Sequence, residues 1–172
     1  MDRIAEKALE MNLENWHLLV GMGAKSLLLK DNEAFEKYKD LVREMNKGDI
    51  NPEASNAHDI GMMYEWIEDY HTAKRYFQKA YELDPGRNFS HFLMIRYDLL
   101  DNGSPEESLE LIDSELLRNP ENNLFIWLKG YALHKLNRNE EALVFLKEAD
   151  EKMRVDPKLK EDIREVELAL GL

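Results

Sequence analysis

The sequence predicts an all-α repeat fold, and three observations carry that expectation. Helix formers such as Leu, Glu, Lys, Ala and Met dominate, whereas the 172 residues hold only 8 Gly and 5 Pro. That is too few turn residues for a fold of many short strands. Apolar residues recur at i, i+3, i+4 and i+7, as in Tyr76, Phe77, Ala80 and Leu83, which is the period of an amphipathic helix. The pattern also repeats along the chain. From Gly61, residues Tyr64, Ala73, Phe77, Ala80 and Pro85 stand at offsets 3, 12, 16, 19 and 24, and from Gly130 the offsets 12, 16 and 19 give Ala142, Leu146 and Ala149.

The elements follow in chain order. Residues 5–12 resemble residues 78–85, the end of a second helix, so residues 2–12 are expected to form half a repeat. Ala34, Tyr38 and Leu41 precede Ala73, Phe77 and Ala80 by 39 positions and mark a first full copy over 14–46. The second copy, 52–85, opens at Asn51-Pro52-Glu53, a capping residue followed by proline at the first helical position. A weaker third copy covers 88–120, with Ser108, Ile112, Glu115 and Pro120 lying 35 residues after their counterparts. Ser104-Pro105-Glu106-Glu107 reads as a capping box within it. The fourth copy covers 121–154. A last helix over 156–171 starts at Asp156-Pro157-Lys158, with Leu159, Ile163, Val166 and Leu170 on one face and Lys158, Glu161, Asp162 and Glu165 on the other. Such a helix would cap the array with a polar outer surface.

This pattern resembles the tetratricopeptide repeat family over nearly the whole chain. The resemblance implies a right-handed α-solenoid of about four helix-turn-helix repeats in a single domain spanning 1–172, with a partial N-terminal helix and a C-terminal capping helix. Residues 54–85 carry the family pattern almost completely. The third copy departs most, since Arg96 and Glu115 stand where small residues are usual. An unpaired buried charge is costly, so these two are expected to pair or to reach solvent. Ala73, Ala80, Ala142 and Ala149 are expected to be buried where helices approach closely.

Composition removes several function classes. A net charge of −12 disfavours nucleic acid and anionic membranes as partners. No Cys is present, hence no disulfide framework and no thiolate nucleophile. No run of apolar residues is long enough to span a bilayer, and the N-terminus lacks a signal-peptide core, so the expected compartment is the cytoplasm. No glycine-rich phosphate loop, nucleophile elbow or His-Glu-x-x-His motif occurs, and the five His residues do not pair at helical spacing. His58, Asp59, Glu65, Glu68, Asp69 and His71 spread around a helix and across a turn, and are not read as a metal site. The expectation is a protein without catalytic residues, cofactor or metal.

The resemblance also implies where a partner would sit. The family's concave first-helix positions fall here on His58, Met62 and Trp66 in the second copy. In the third they fall on Leu93, Met94 and Tyr97, and in the fourth on Trp127, Leu128, Tyr131 and His134. The family's clamp for acidic chaperone tails requires Lys, Asn and Arg at positions filled here by His58, Met62, Met94, Leu124 and Leu128, and none matches. Aromatic and Met side chains on an open face suit a protein-binding groove. The expected function is a protein–protein interaction module or adaptor holding another polypeptide by apolar anchors, with Lys or Arg around them. Two other readings of the same fold are a small acidic secretion-type chaperone and a scaffold fragment of a larger protein.

Overall fold

The computed structural model describes residues 16–101, 103–153 and 156–172. The half-repeat expected over 2–12 lies outside them. The described residues form nine α-helices and no strand: α1 (Trp16–Leu28), α2 (Asn32–Met45), α3 (Pro52–Glu65), α4 (Tyr70–Leu83), α5 (Asn88–Leu100), α6 (Pro105–Arg118), α7 (Asn123–Lys135), α8 (Asn139–Lys152) and α9 (Pro157–Leu170). A 3-10 turn, Asn46–Gly48, follows α2. Backbone contacts divide the chain into two compact units, Met1–Met94 and Ile95–Leu172, and the division falls inside α5.

Helices start where the sequence supplies a cap. Asp31, Asn51, Asp69 and Ser104 each accept a hydrogen bond from the backbone N–H three residues on, and Asp156 accepts from Lys158 and Leu159. These bonds satisfy donors that the first helical turn leaves free. The Ser104 hydroxyl also reaches the Glu106 carboxylate at 3.3 Å.

The turns inside the helix pairs share one geometry. Lys30, Glu68 and Asn137 all have positive φ, at 55°, 61° and 59°. In each case this residue's N–H bonds the carbonyl three residues back, and the next N–H bonds the carbonyl five back. The pairs are Lys30 to Leu27 with Asp31 to Ser26, Glu68 to Glu65 with Asp69 to Tyr64, and Asn137 to His134 with Arg138 to Leu133. This is the Schellman termination, which ties off the orphan carbonyls of a helix end. Gly171 ends α9 in the same way.

In the first unit α1 packs on α2 and α3 on α4, and α3 also touches α1 and α2. Leu19, Val20, Phe35, Tyr38, Val42, Ile60 and Met63 form its core. In the second unit α7 packs on α6 and α8, and α9 packs on α8 and α7. Ile112, Phe125, Leu128, Leu146, Leu159 and Val166 are fully buried there. Ala73, Ala80, Ala142 and Ala149 are buried as the repeat pattern requires. The two repeat glycines explain how the paired helices come so close. A Cβ on Gly61 would lie 2.7 Å from the Phe77 ring, and one on Gly130 would lie 2.6 Å from Leu146. Gly23 is likewise filled by the Met63 side chain.

Candidate functional site

In the first unit, Pro52 and the Asn51 cap fix the start of α3. Helical spacing then sets His58, Met62 and Trp66 four residues apart along one stripe, with Trp66 just past the helix end. Trp66 is 53% exposed although it rests on α1, where a Cβ on Gly21 would lie 2.9 Å from its ring. Met62 is half-buried. At the other end of the stripe Phe89 is 47% exposed. It stacks on Phe92 at 5.9 Å and leans on His58 at 5.8 Å. The stripe therefore offers open aromatic surface at both ends.

Polar bonds set the floor beneath it. His58 Nδ1 lies 2.9 Å from Ser90 Oγ, and its ring also tilts against Phe77. Burial lowers the His58 pKa below its ordinary value, and Arg87 pushes the same way against the charges of Asp59 and Glu65. Asp59 is buried and accepts from Trp16 Nε1 at 2.6 Å and from Asn46 Nδ2 at 2.7 Å. Arg87 donates to Ser55 Oγ, which in turn donates to Asp49. These bonds hold α3 against the segments before and after it.

Other expected groove residues are covered: Trp127, Leu128, Tyr131 and Tyr97 are buried in the second unit, and Leu93 is buried at the end of the first. Trp127 Nε1 donates to Asp162 Oδ2 at 2.6 Å. The Arg96 guanidinium grips the same carboxylate with two bonds, of 2.8 and 3.2 Å. It lies over the Trp127 and Tyr131 rings, 4.7 and 4.8 Å from their centroids. Burial works against the charge on Arg96, but the bond to Asp162 and its negative charge hold the arginine pKa above its ordinary value.

This corrects several expectations. Leu93, Tyr97, Trp127, Leu128 and Tyr131 do not present open contact area, because their side chains are buried. For Trp127 and Tyr131 the physical reason is the Arg96–Asp162 pair: Arg96 lies over both rings and Asp162 accepts from the Trp127 indole. Arg96 is buried and paired with Asp162, while Glu115 bonds Arg118 at 3.1 Å. Asp162 is not on the solvated face of the last helix. It stands three residues after Leu159 and four before Val166, which puts it on the apolar face.

Met94 and His134 are half-buried, and His134 Nδ1 lies 2.7 Å from Asn139 Oδ1 at the start of α8. Phe89 and Arg87 were not singled out by sequence spacing: Arg87 sits in the link before α5, and Phe89 stands in its first turn, ahead of the concave positions that the family pattern names. Among the described residues no three His, Asp or Glu side chains converge to hold a metal ion. No helix among them is long and apolar enough to cross a membrane.

Comparison with known proteins agrees with the repeat geometry. The tetratricopeptide repeat family model matches residues 54–87 and 125–151. Searching the curated proteins returned no match. The two matched segments carry the contacts of Gly61 on Phe77 and Gly130 on Leu146, and the same Schellman turn joins their helices: the chain is a tetratricopeptide repeat protein.

Proposed function

We propose that this chain is an adaptor, in keeping with tetratricopeptide repeats being generally non-catalytic modules that bind other proteins or peptides. Its contact stripe is Trp66, Met62, His58 and Phe89 in the first unit, and it takes a polypeptide segment with apolar anchors. The exposure of Trp66 carries this reading. A large indole left 53% open costs hydrophobic stabilisation that a partner would supply. Glu65 and Glu68 flank Trp66 in sequence, which favours Lys or Arg beside the anchor. In the second unit Trp127 and Tyr131 are taken up by the Arg96–Asp162 pair, so the exposed aromatic anchor used here is in the first.

Peptides selected from a displayed random library against the full chain test this. Trp66→Ala or Phe89→Ala is expected to weaken their binding tenfold or more, the size of loss that marks a central anchor. Selected peptides that bind both variants as tightly as the parent would overturn the assignment.

A further inference from the structure

A different face of the first unit has the makings of an anion site. Thr72, Arg75, Tyr76 and Lys79 stand at i, i+3, i+4 and i+7, one stripe of α4. With Tyr64 of α3 they line a hollow of about 330 Å³. All five side chains carry a hydrogen-bond donor, two are cations and none is an acid. Tyr64 is fixed from both sides, stacked on Tyr76 at 5.5 Å and edge-on to Phe35 at 5.8 Å. Thr72 is held in the first turn of α4, where its N–H bonds the Asp69 cap at 3.1 Å. Arg75 and Lys79 have no acidic partner among the described residues, in a chain with a net charge of −12. In such a chain most cations find carboxylates nearby, as Lys39, Arg43 and Lys47 do.

A second hollow of about 250 Å³ shares Tyr76 and Lys79 as a wall and adds Arg43 and Asn56. Acidic groups do border these hollows. Glu53 lines the second, and Asp69 and Glu36 lie close enough to Tyr64 to act, after burial and Tyr76, in raising its pKa. Asp69 is engaged as the α4 cap and Glu36 by Lys39. That leaves the Arg75 and Lys79 charges free for a ligand.

We propose that Arg75 and Lys79, with the hydroxyls of Thr72, Tyr64 and Tyr76, bind a carboxylate or phosphate group carried on an acidic polypeptide segment. About ten water volumes fit in the larger hollow, which is room for one anionic side chain. Two adjoining hollows that share Lys79 suit successive side chains of one segment better than a single free ion. Arg75 supplies planar paired donors and Lys79 a compact charge, the usual complements of an oxyanion. This site is separate from the Trp66 stripe and does not depend on it.

The test is a ¹H–¹⁵N NMR titration of the full chain at fixed ionic strength, with three probes. They are a hexaglutamate peptide, a hexapeptide with a central phosphoserine, and inorganic phosphate. Saturable shifts centred on Tyr64 and residues 72–79 are expected with at least one peptide. They should weaken tenfold or more in Arg75→Gln/Lys79→Gln, persist in Lys79→Arg, and survive both Trp66→Ala and the control Lys37→Ala/Lys47→Ala. The exposure of Arg75 and Lys79 makes the glutamine variants compatible with folding. No saturable shift, shifts that survive Arg75→Gln/Lys79→Gln, or binding of inorganic phosphate alone would each overturn the proposal.

Discussion

At the scale of single residues, two buried aspartates do comparable work in different units. Asp59 collects the Trp16 indole and the Asn46 amide, and Asp162 collects the Trp127 indole and the Arg96 guanidinium. Removing one side of a buried ion pair costs far more than the pair contributes, because the remaining charge stays desolvated. Asp162→Ala is therefore expected to lower stability by about 3–5 kcal/mol in urea unfolding. Arg96→Met/Asp162→Leu should recover most of that loss, since no charge is then left buried. His58 gives a pH signature. Its pKa in the folded chain lies below the ordinary 6.5, first through burial and then through Arg87, against the pull of Asp59 and Glu65. The folded state thus disfavours the imidazolium. The stability that a neutral His58 contributes is complete above pH 6.5 and is lost as pH falls from there through the lowered folded value. Thermal melts of the parent between pH 7.5 and 5 should fall more steeply than those of His58→Gln. Equal slopes would place the titration elsewhere. Neither aspartate's role was legible from spacing: Asp162 sits among acidic neighbours that are solvated, and its partner Arg96 lies 66 residues away.

Helices and turns were legible to different degrees. Caps at Asn51, Ser104 and Asp156 could be read directly, because only short polar side chains satisfy the free N–H groups of a first turn. The intra-pair turns could not, because Lys30, Glu68 and Asn137 are not the glycines that a left-handed residue usually calls for. What betrays them is periodicity: Glu68 and Asn137 are 69 residues apart, two repeat periods. The left-handed conformation costs a side-chain-bearing residue roughly 1 kcal/mol. Glu68→Gly relieves that cost but loosens the unfolded chain, so a net gain of up to about 1 kcal/mol is expected. Glu68→Val should lose about 1 kcal/mol or more, since a β-branched residue fits that region worst. Denaturant midpoints for the two variants should move in opposite directions.

Across the whole molecule, the repeat was readable because its contacts are local. Gly61 on Phe77 and Gly130 on Leu146 each join helices within one pair, at offsets that repeat in sequence. The covering of Trp127 and Tyr131 was not readable, because it depends on a long-range pair, Arg96 and Asp162. Repeat arrays distribute stability as the sum of local units and their neighbour contacts, so damage to one unit should stay near it. The contacts of Asp162 run to Arg96 and Trp127, all within residues 95–172. Trp16, Asn46 and Asp59 form their own network within residues 1–94. Native-state hydrogen exchange on Asp162→Ala should accordingly show strong loss of amide protection in α7, α8 and α9. Protection in α1 to α4 should change much less, since local opening there draws on contacts that the substitution does not touch. Asp59→Ala should give the converse pattern, with α1, α2 and α3 losing protection first. If both variants lowered protection uniformly along the chain, the two units would be unfolding as one cooperative block.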